Sequence, residues 1–290
     1  MQADAAGKVG RLLGLVALVR PKQWVKNLFV FAPLIFAHKF LHEPEIMAAV
    51  VAFLLFCLAS SAAYVVNDLC DVERDRRHPT KRFTRPIAAG LVPPTAAMLL
   101  LAFIYLLIAA AWWRAPGVVY VIGAYLALNV AYSLGLKHQP VVDLFCVALG
   151  FVLRILAGAE AIAVPLSNWM AVTTLCLALY LAAVKRRQEL AGSGAPAREV
   201  LRLYSVALVD RYAQIAATAA LVFYGLFVVT TNDRLAGTVP LVIFGLFRYW
   251  YVVDHGGSGE SPTDSLLTDW PLVLTVLCWA AACMAALWPG

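Results

Sequence analysis

The chain alternates between long apolar runs and short polar segments that contain proline, glycine and charged residues. A helix needs about 20 apolar residues to cross the hydrocarbon core of a bilayer, so each long run is typical of a membrane-spanning helix. Because lipid offers the backbone no hydrogen-bond partners, a spanning segment is helical. The pattern therefore predicts an all-α, polytopic membrane protein with nine transmembrane helices, at residues 24–41, 46–68, 95–113, 117–136, 141–163, 168–185, 211–231, 238–254 and 270–288.

The composition excludes a soluble globular protein. The chain is 62% hydrophobic and 14% charged, with a mean hydropathy of +0.80, whereas soluble domains average about 45–50% apolar and about 25% charged residues. The apolar run near the N-terminus continues into a basic segment rather than a small-residue cleavage site, so we do not interpret it as a signal peptide. The six cysteines lack CxxC spacing, and we predict that they are buried apolar residues.

The basic residues are distributed unevenly between the two sides of the predicted bundle. The N-terminal stretch and the loops after spans two, four and six hold 18 of the 23 Lys and Arg residues, and the opposite loops hold three. Such an excess marks the cytoplasmic side of a membrane protein. We therefore predict one transmembrane domain over residues 1–290, with a cytoplasmic N-terminal segment 1–20, cytoplasmic polar loops and an external C-terminus.

The segment NDLCDVERD, at residues 67–75, places four carboxylates at the end of the second predicted span, in a chain with only 17 acidic residues. If the helix continues at about 100° per residue, Asp68, Asp71 and Asp75 share a stripe about 60° wide, and Glu73 lies on another face. Three carboxylates on one face repel one another unless a cation lies between them. Oxygen ligands of this kind suit Mg²⁺, which often also binds substrate phosphates. The alternative is a solvated helix end whose carboxylates pair with nearby arginines.

The order Asn67-Asp68-x-x-Asp71-x-x-x-Asp75 resembles the NDxxDxxxD motif of the UbiA-type prenyltransferase superfamily. The resemblance covers essentially the whole chain, because the number of spans, their polarity and the place of the motif also agree. It implies a UbiA-like helical bundle whose active site faces the cytoplasm. It also implies that Asp68, Asp71 and Asp75 bind Mg²⁺ and a diphosphate, and that Asn67 hydrogen-bonds the substrate.

The sixth predicted span ends differently from that of the aromatic prenyltransferases in this superfamily, which carry a second Asp-rich motif there. This chain has VKRRQEL instead, with Lys185, Arg186, Arg187 and Glu189. Lys185 and Glu189 are i, i+4 neighbours and are expected to pair. That pairing leaves Arg186 and Arg187 for an anion, and a guanidinium is a planar fork suited to phosphate.

Three further segments are similar to one branch of the superfamily, the decaprenyl-phosphate phosphoribosyltransferases. They are RPKQWVKN at the first span, HPTKRFTRPIAAG after the second and YSLGLKHQPVVD after the fourth. Members of this branch move phosphoribose from 5-phosphoribosyl 1-diphosphate to a long-chain polyprenyl phosphate and release pyrophosphate, which yields an arabinan precursor for cell-wall biogenesis. The resemblance implies a Mg²⁺-dependent pentosyltransferase of the bacterial inner membrane, with those two substrates and the bilayer as partners, no nucleic acid, and assembly into a homo-oligomer left open.

The resemblance and the charges together suggest roles for the basic residues. The 5-phosphate of the donor is assigned to Lys185, Arg186 and Arg187. The phosphate of the lipid is assigned to Lys22, Lys26 and Lys137, and these two assignments are interchangeable on sequence alone. Further positive charge comes from Lys81, Arg82 and Arg85 in the loop after the second span. The alternative for each group is positive-inside anchoring, which requires basic residues but no pattern.

Two arginines and one acidic loop complete the set of candidate residues. Arg154 and Arg248 lie within predicted spans, where a lone charge suggests a function or a buried pair. Asp143 precedes Arg154 on the same helix face, so Arg154 is expected either to line the cavity or to brace an acidic residue, and Arg248 leads towards Asp254. The glycine-rich, acidic loop 254–271 is interpreted either as a lid or as a plain connector.

Three rival functions remain at this point. An aromatic prenyltransferase predicts a second Asp cluster after the sixth span, which this chain lacks. A non-enzymatic transporter predicts polar groups deep in several spans or internal repeats. A sister enzyme that uses another sugar diphosphate or another lipid is compatible with the same residues.

Overall fold

The computed structural model describes residues 13–191, 199–255 and 268–288, and within these ranges all regular structure is helical, as predicted. The α-helices in chain order are α1 (Ala32–Phe36), α2 (Glu43–Cys70), α3 (Val72–Arg77), α4 (Lys81–Thr84), α5 (Pro94–Ala110), α6 (Pro116–Leu134), α7 (Val142–Ala161), α8 (Asn168–Ala191), α9 (Val206–Thr231), α10 (Val239–His255) and α11 (Trp270–Ala286). Short 3₁₀ helices lie at Pro21–Phe31, Ala111–Trp113, Leu136–His138, Glu199–Leu203 and Asp233–Thr238.

Several helices begin at proline or at a capping side chain. Proline occupies the first or second position of α2, α5, α6 and α11, where its missing N–H has no intrahelical partner to lose. Ser205 caps α9 by accepting a hydrogen bond from the N–H of Leu208, and Asp269 caps α11 by accepting one from the N–H of Leu272. The polar segments that the sequence pattern places between spans therefore start the next helix.

The predicted spans correspond to helices, but not all nine are long enough to cross a membrane. Among the described residues, seven helical stretches meet that requirement by length and composition: Glu43–Cys70, Pro94–Trp113, Pro116–Leu134, Val142–Ala161, Asn168–Ala191, Val206–Thr231 and Asp233–His255. The first predicted span is divided between the 3₁₀ helix Pro21–Phe31 and α1, and the last is the shorter helix α11. The count of nine crossings stays a prediction.

Helix α7 lies near the centre of the bundle. It packs against α6, α8 and the 3₁₀ helix Pro21–Phe31. One buried cluster joins α2, α5, α6 and α7 through residues such as Phe56, Ile104 and Ile122. A second cluster joins α8, α9 and α10 around Tyr180 and Tyr249. The polar ends of α2, α6 and α8, which carry the candidate residues, extend from these two apolar cores.

The helix that carries the acidic motif is divided at Asp71. α2 ends at Cys70, and α3 starts at Val72. The N–H of Asp71 still donates to the Asn67 carbonyl at 2.9 Å, and the N–H of Asp75 donates to the Asp71 carbonyl at 2.8 Å. Because i to i−4 hydrogen bonds continue across the junction, the helical phase predicted from the sequence is kept.

Candidate active site

Asp68 lies at the centre of the candidate site. Its side chain is buried at the end of α2, and its Oδ1 accepts hydrogen bonds from Arg20 at 2.5 Å and from Arg85 at 2.7 Å. Its second oxygen, Oδ2, is also buried and has no hydrogen-bond partner among the described residues. Burying a carboxylate oxygen without a partner is costly. This atom is therefore where the site is open to a further ligand.

The other two aspartates of the motif also face cations. Lys81 Nζ lies 3.7 Å from Asp75 Oδ1, and Arg85 Nε lies 3.9 Å from Asp75 Oδ2. Lys137 Nζ lies 3.9 Å from Asp71 Oδ1. The structure thus brings the motif together with the segment that directly follows it and with the loop after α6, which is 66 residues further along the sequence.

The two remaining polar residues of the segment, Glu73 and Asn67, lie on the sides of the helix that its periodicity predicts. Glu73 lies on the solvent side with its side chain 70% exposed and pairs with Arg76 at 2.9 Å. Asn67 lies on the inner side, where its Oδ1 accepts a hydrogen bond from Ser133 of α6 at 2.6 Å. Asn67 is thereby fixed beside Asp68, while Glu73 is turned away from the site.

Arg20 contacts the acidic motif through Asp68, although the sequence assigned it no role in the site. It precedes the 3₁₀ helix Pro21–Phe31, has a positive φ of 52° and stacks its guanidinium over the Tyr64 ring at 4.5 Å. A left-handed backbone is uncommon for a residue other than glycine. The sequence signal is the place of Arg20 in the basic RPKQW segment, but a single basic residue has no spacing pattern that separates substrate binding from membrane anchoring.

The basic end of α8 differs from the sequence expectation. Lys185 does lie near Glu189, at 4.0 Å. Arg186, however, is buried and pairs with Asp143 at 2.8 Å and with Glu189 at 2.7 Å. Arg187 pairs with acidic residues of α9 and α10, namely Asp210 at 2.8 Å and Asp254 at 2.7 Å. Arg186 and Arg187 are therefore both paired with carboxylates in this structure, and not left without an acidic partner as the sequence expectation assumed.

The remaining basic candidates lie near the surface. Lys22 is exposed and Lys26 is half-buried on the 3₁₀ helix Pro21–Phe31. Arg82 stacks over the Phe83 ring at 4.4 Å and lines an open concavity with Arg76. In the described part of the chain, neither Lys22 nor Arg82 forms a hydrogen bond or an ion pair with the acidic motif.

Arg154 is buried deep in α7 among neutral partners. Its guanidinium donates to Asn27 Oδ1 at 2.8 Å and to the Gly150 carbonyl at 2.7 Å, and it lies 5.1 Å from the centre of the Tyr125 ring. Arg154 was expected either to line the cavity or to brace an acidic residue such as Asp143. In the structure, Asp143 pairs with Arg186. Eleven residues of helix separate Arg154 from Asp143 by about 16 Å, which exceeds the reach of an ion pair.

Arg248 pairs with an acidic residue other than the one suggested by the sequence. It donates two hydrogen bonds to Asp269, at 3.1 and 2.8 Å, rather than reaching Asp254. These hydrogen bonds hold the pKa of Asp269 below its usual value. Most of the loop that we interpreted as a lid or connector, residues 256–267, lies outside the described residues.

The sequence model of one family matches most of this chain. The match to the UbiA prenyltransferase family covers residues 28–265.

The chain belongs to the UbiA prenyltransferase family.

Curated relatives of this UbiA-family chain share one name. Proteins named decaprenyl-phosphate phosphoribosyltransferase are 37% identical to it in Mycolicibacterium smegmatis, over 95% of this chain and 92% of the relative. The proteins of that name in Mycobacterium tuberculosis and Corynebacterium glutamicum are each 38% identical, over 94% and 95% of this chain and 94% and 87% of the relatives.

Solved structures of the family confirm the UbiA fold. A UbiA homologue from Archaeoglobus fulgidus bound to GPP and Mg²⁺ superposes with a TM-score of 0.74 at 17% identity, covering 94% of this chain and 99% of the homologue. The same homologue bound to DMAPP and Mg²⁺ gives a TM-score of 0.71. With its long apolar helices, this UbiA-family chain is a multi-pass membrane protein.

The residues of the acidic motif fit a divalent cation, although the described residues contain no preformed cluster of three His, Cys, Asp or Glu side chains. Mg²⁺ commonly takes only one or two carboxylates and completes its shell with water and substrate phosphate. The buried Oδ2 of Asp68 has the charge and the unused lone pairs that such an ion requires. Its nearest motif partners, Asp71 and Asp75, lie one and two turns further along the same stripe.

Proposed function

We propose that this chain transfers 5-phosphoribose from 5-phosphoribosyl 1-diphosphate to a long-chain polyprenyl phosphate and releases pyrophosphate. The observation that carries this proposal is its 37–38% identity, over nearly its whole length, to proteins named decaprenyl-phosphate phosphoribosyltransferase. The arrangement around Asp68 supports it, because carboxylates with cations on either side suit a metal-held diphosphate. The product would enter cell-envelope synthesis.

Asp68, Asp71 and Asp75 would hold Mg²⁺, with Asp68 Oδ2 as the primary ligand atom. When bound, the ion would supply charge neutralisation of the leaving pyrophosphate. Arg20 and Arg85 share Asp68 Oδ1 at 2.5 and 2.7 Å. Because a guanidinium has five N–H donors in a fixed fork, each of them would have further N–H groups with which to donate to a diphosphate.

Lys81 and Lys137 would add positive charge beside the donor diphosphate. Both lie within 4 Å of motif carboxylates, at 3.7 and 3.9 Å. The sequence assigns Lys137 to the lipid phosphate, but we place it with the donor because its Nζ lies next to Asp71 of the acidic motif. The acceptor phosphate is already an anion, so the reaction requires no strong general base. Catalysis would then rest on positioning the two substrates and on electrostatic stabilisation of the leaving group, with Asn67 hydrogen-bonding the donor.

The cations of α8 divide into two groups in this proposal. The Lys185 side chain is 40% exposed, whereas that of Arg186 is 4% exposed and is bound by two carboxylates. We therefore keep Lys185 as a ligand of the 5-phosphate and withdraw Arg186 from direct phosphate contact. Lys22 and Lys26, on the first 3₁₀ helix, stay assigned to the lipid phosphate. Arg82 stays a candidate for adding positive charge near the anionic substrates.

We also propose the membrane arrangement. The site faces the cytoplasm of a bacterium, because 18 of the 23 basic residues lie in the loops on its side. The 3₁₀ helix Pro21–Phe31 with α1, and the shorter helix α11, would complete nine crossings of the inner membrane. The C-terminus would then lie outside, and assembly into a homo-oligomer is compatible with this arrangement.

A direct assay tests the proposed reaction. The purified chain is incubated with Mg²⁺, ribose-labelled 5-phosphoribosyl 1-diphosphate and a polyprenyl phosphate, and the lipid is extracted. Label is expected in the lipid phase, and Asp71→Ala is expected to remove it. If label stays in the water phase while an aromatic acceptor takes up a prenyl group from an isoprenyl diphosphate, the rival prenyltransferase function is correct instead.

A further inference from the structure

The loop between α6 and α7 carries Lys137 to the acidic motif and ends in a strained turn. Val141 has φ 68° and ψ −47°, and the N–H of Val142 donates to the Pro140 carbonyl at 2.8 Å, which closes a γ-turn with positive φ. This turn is rare, and a β-branched residue at its centre is a true outlier. Backbone strain of this kind persists only where surrounding contacts hold it, and it is concentrated near functional sites.

Tyr204 makes the contact that holds the turn. The N–H of Val141 donates to the Tyr204 hydroxyl at 2.5 Å, and the hydroxyl donates to Asp143 Oδ1 at 2.7 Å. Tyr204 is only 7% exposed. Burial and the neighbouring Asp143 carboxylate raise the pKa of Tyr204, so its hydroxyl keeps the proton that it donates.

Arg186 completes this set of contacts from α8. Asp143 is fully buried, and its Oδ2 accepts a hydrogen bond from Arg186 at 2.8 Å. Arg186 also donates to Tyr132 at 3.3 Å, one residue before the Ser133 that holds Asn67 at the candidate site. Without Arg186, the charge of Asp143 would be buried and uncompensated. The three side chains therefore depend on one another.

We infer that Tyr204, Asp143 and Arg186 form a latch that fixes the Leu136–Val141 loop and thereby sets the position of Lys137 against Asp71. In this inference Arg186 is a positioning residue for donor binding and does not contact phosphate. The inference rests on the proposed function, because it assumes that the Asp71 end of the site binds 5-phosphoribosyl 1-diphosphate. The latch should affect affinity for this donor and leave affinity for the lipid acceptor unchanged.

A matched pair of tyrosine variants tests the latch. Tyr204→Phe removes one hydroxyl that contacts the loop. Tyr180→Phe removes one hydroxyl of another buried tyrosine, which donates to the Leu246 carbonyl at 3.0 Å and not to the loop. Calorimetry with 5-phosphoribosyl 1-diphosphate and Mg²⁺ should give a Kd raised about tenfold for Tyr204→Phe, as expected for lost buried hydrogen bonds. The Tyr180→Phe Kd should equal that of the wild type. Equal Kd values for both variants would overturn the latch.

A double-mutant cycle separates positioning from general structural damage. If Tyr204 acts through Lys137, then Tyr204→Phe should change the donor Kd by less than about twofold in a Lys137→Ala background. A full additional loss in that background contradicts the inference. A wild-type protein that binds no 5-phosphoribosyl 1-diphosphate would contradict the proposed function itself, whereas normal wild-type binding with an additive cycle would contradict the latch alone.

Val141→Pro supplies a second variant in case Tyr204→Phe does not fold. Val141 is 39% exposed, so this change disturbs little of the core. Proline removes the N–H that donates to Tyr204 and forbids a positive φ. The donor Kd should again rise about tenfold or more, and the rise should disappear in the Lys137→Ala background. A wild-type Kd for Val141→Pro would overturn the inference.

Discussion

The acidic end of α2 and the basic end of α8 carry opposite charges in the sequence, yet both are ion-paired in the structure. At the end of α2, partly exposed cations surround Asp68 and leave its Oδ2 buried without a partner in the described chain. At the end of α8, Arg186 is enclosed by Asp143 and Glu189. The first arrangement leaves one buried carboxylate oxygen without a hydrogen-bond partner among the described residues, whereas in the second the guanidinium is bound by two carboxylates. The difference teaches that the availability of a charge depends on its partners rather than on its sign.

The largest expected effect is a loss of stability when the buried arginine at the end of α8 is replaced. Arg186→Met leaves Asp143 buried without its cation, and breaking a buried pair in this way costs about 3–5 kcal/mol. We expect a large fall in the Tm measured in detergent. Arg234→Met, at an exposed position on the other side, is the control and should leave the Tm near that of the wild type. A wild-type Tm for Arg186→Met would mean that Arg186 is available to ligands after all.

The next effect should fall on activity. Asp68→Asn keeps the size of the side chain but removes the charge that a metal ion requires, so transfer to lipid should fall at least about 100-fold. The matched control is Glu73→Gln, because Glu73 belongs to the same acidic segment but is 70% exposed. Initial rates of lipid labelling measure both variants. Similar rates for the two variants would show that Asp68 is not part of the active site.

Arg20 should behave as a member of the first region and not of the second. Arg20→Met still leaves Asp68 paired with Arg85 at 2.7 Å, so the Tm should change little. The Kd for 5-phosphoribosyl 1-diphosphate should rise about tenfold, because a charge-assisted hydrogen bond to phosphate is lost. Titration calorimetry measures the Kd, and thermal unfolding of the same sample measures the Tm. A lower Tm with an unchanged Kd would place Arg20 with Arg186 as a structural residue.

The smallest effect concerns a pair outside both regions. Hydrogen bonds from Arg248 hold the pKa of Asp269 below its usual value in the folded protein. A carboxyl with a lowered folded pKa stabilises the fold above its unfolded pKa, about 4, and this stabilisation is lost as the pH falls through the folded value. Asp269→Asn should therefore lower the Tm slightly at pH 7, and the difference from wild type should shrink below about pH 4. A constant difference across this range would contradict the pairing.

The sequence predicted the helices and the acidic stripe because both depend on local periodicity. The apolar runs locate the spans, and helical phase places Asp68 and Asp75 inward and Glu73 outward. The fold itself is shared with solved UbiA structures at a TM-score of 0.74.

The ion pairs could not be predicted in the same way. Arg20 and Asp68 are 48 residues apart, and Arg186 and Asp143 are 43 residues apart. Periodicity within one helix says nothing about which neighbouring helix faces it. For this reason the sequence assigned Arg186 to phosphate and omitted Arg20, whereas the packing of the bundle encloses Arg186 between two carboxylates and brings Arg20 to Asp68.

The most direct measurement follows two labels in one donor molecule. The protein is supplied with Mg²⁺, a polyprenyl phosphate and 5-phosphoribosyl 1-diphosphate that carries one radiolabel on the 5-phosphate and another on the diphosphate. We predict that the 5-phosphate label enters the lipid and that the diphosphate label leaves as pyrophosphate, and that Asp68→Asn abolishes both events. A lipid that gains the diphosphate label, or gains neither label from the wild-type protein, would contradict a phosphoribosyltransferase built around Asp68.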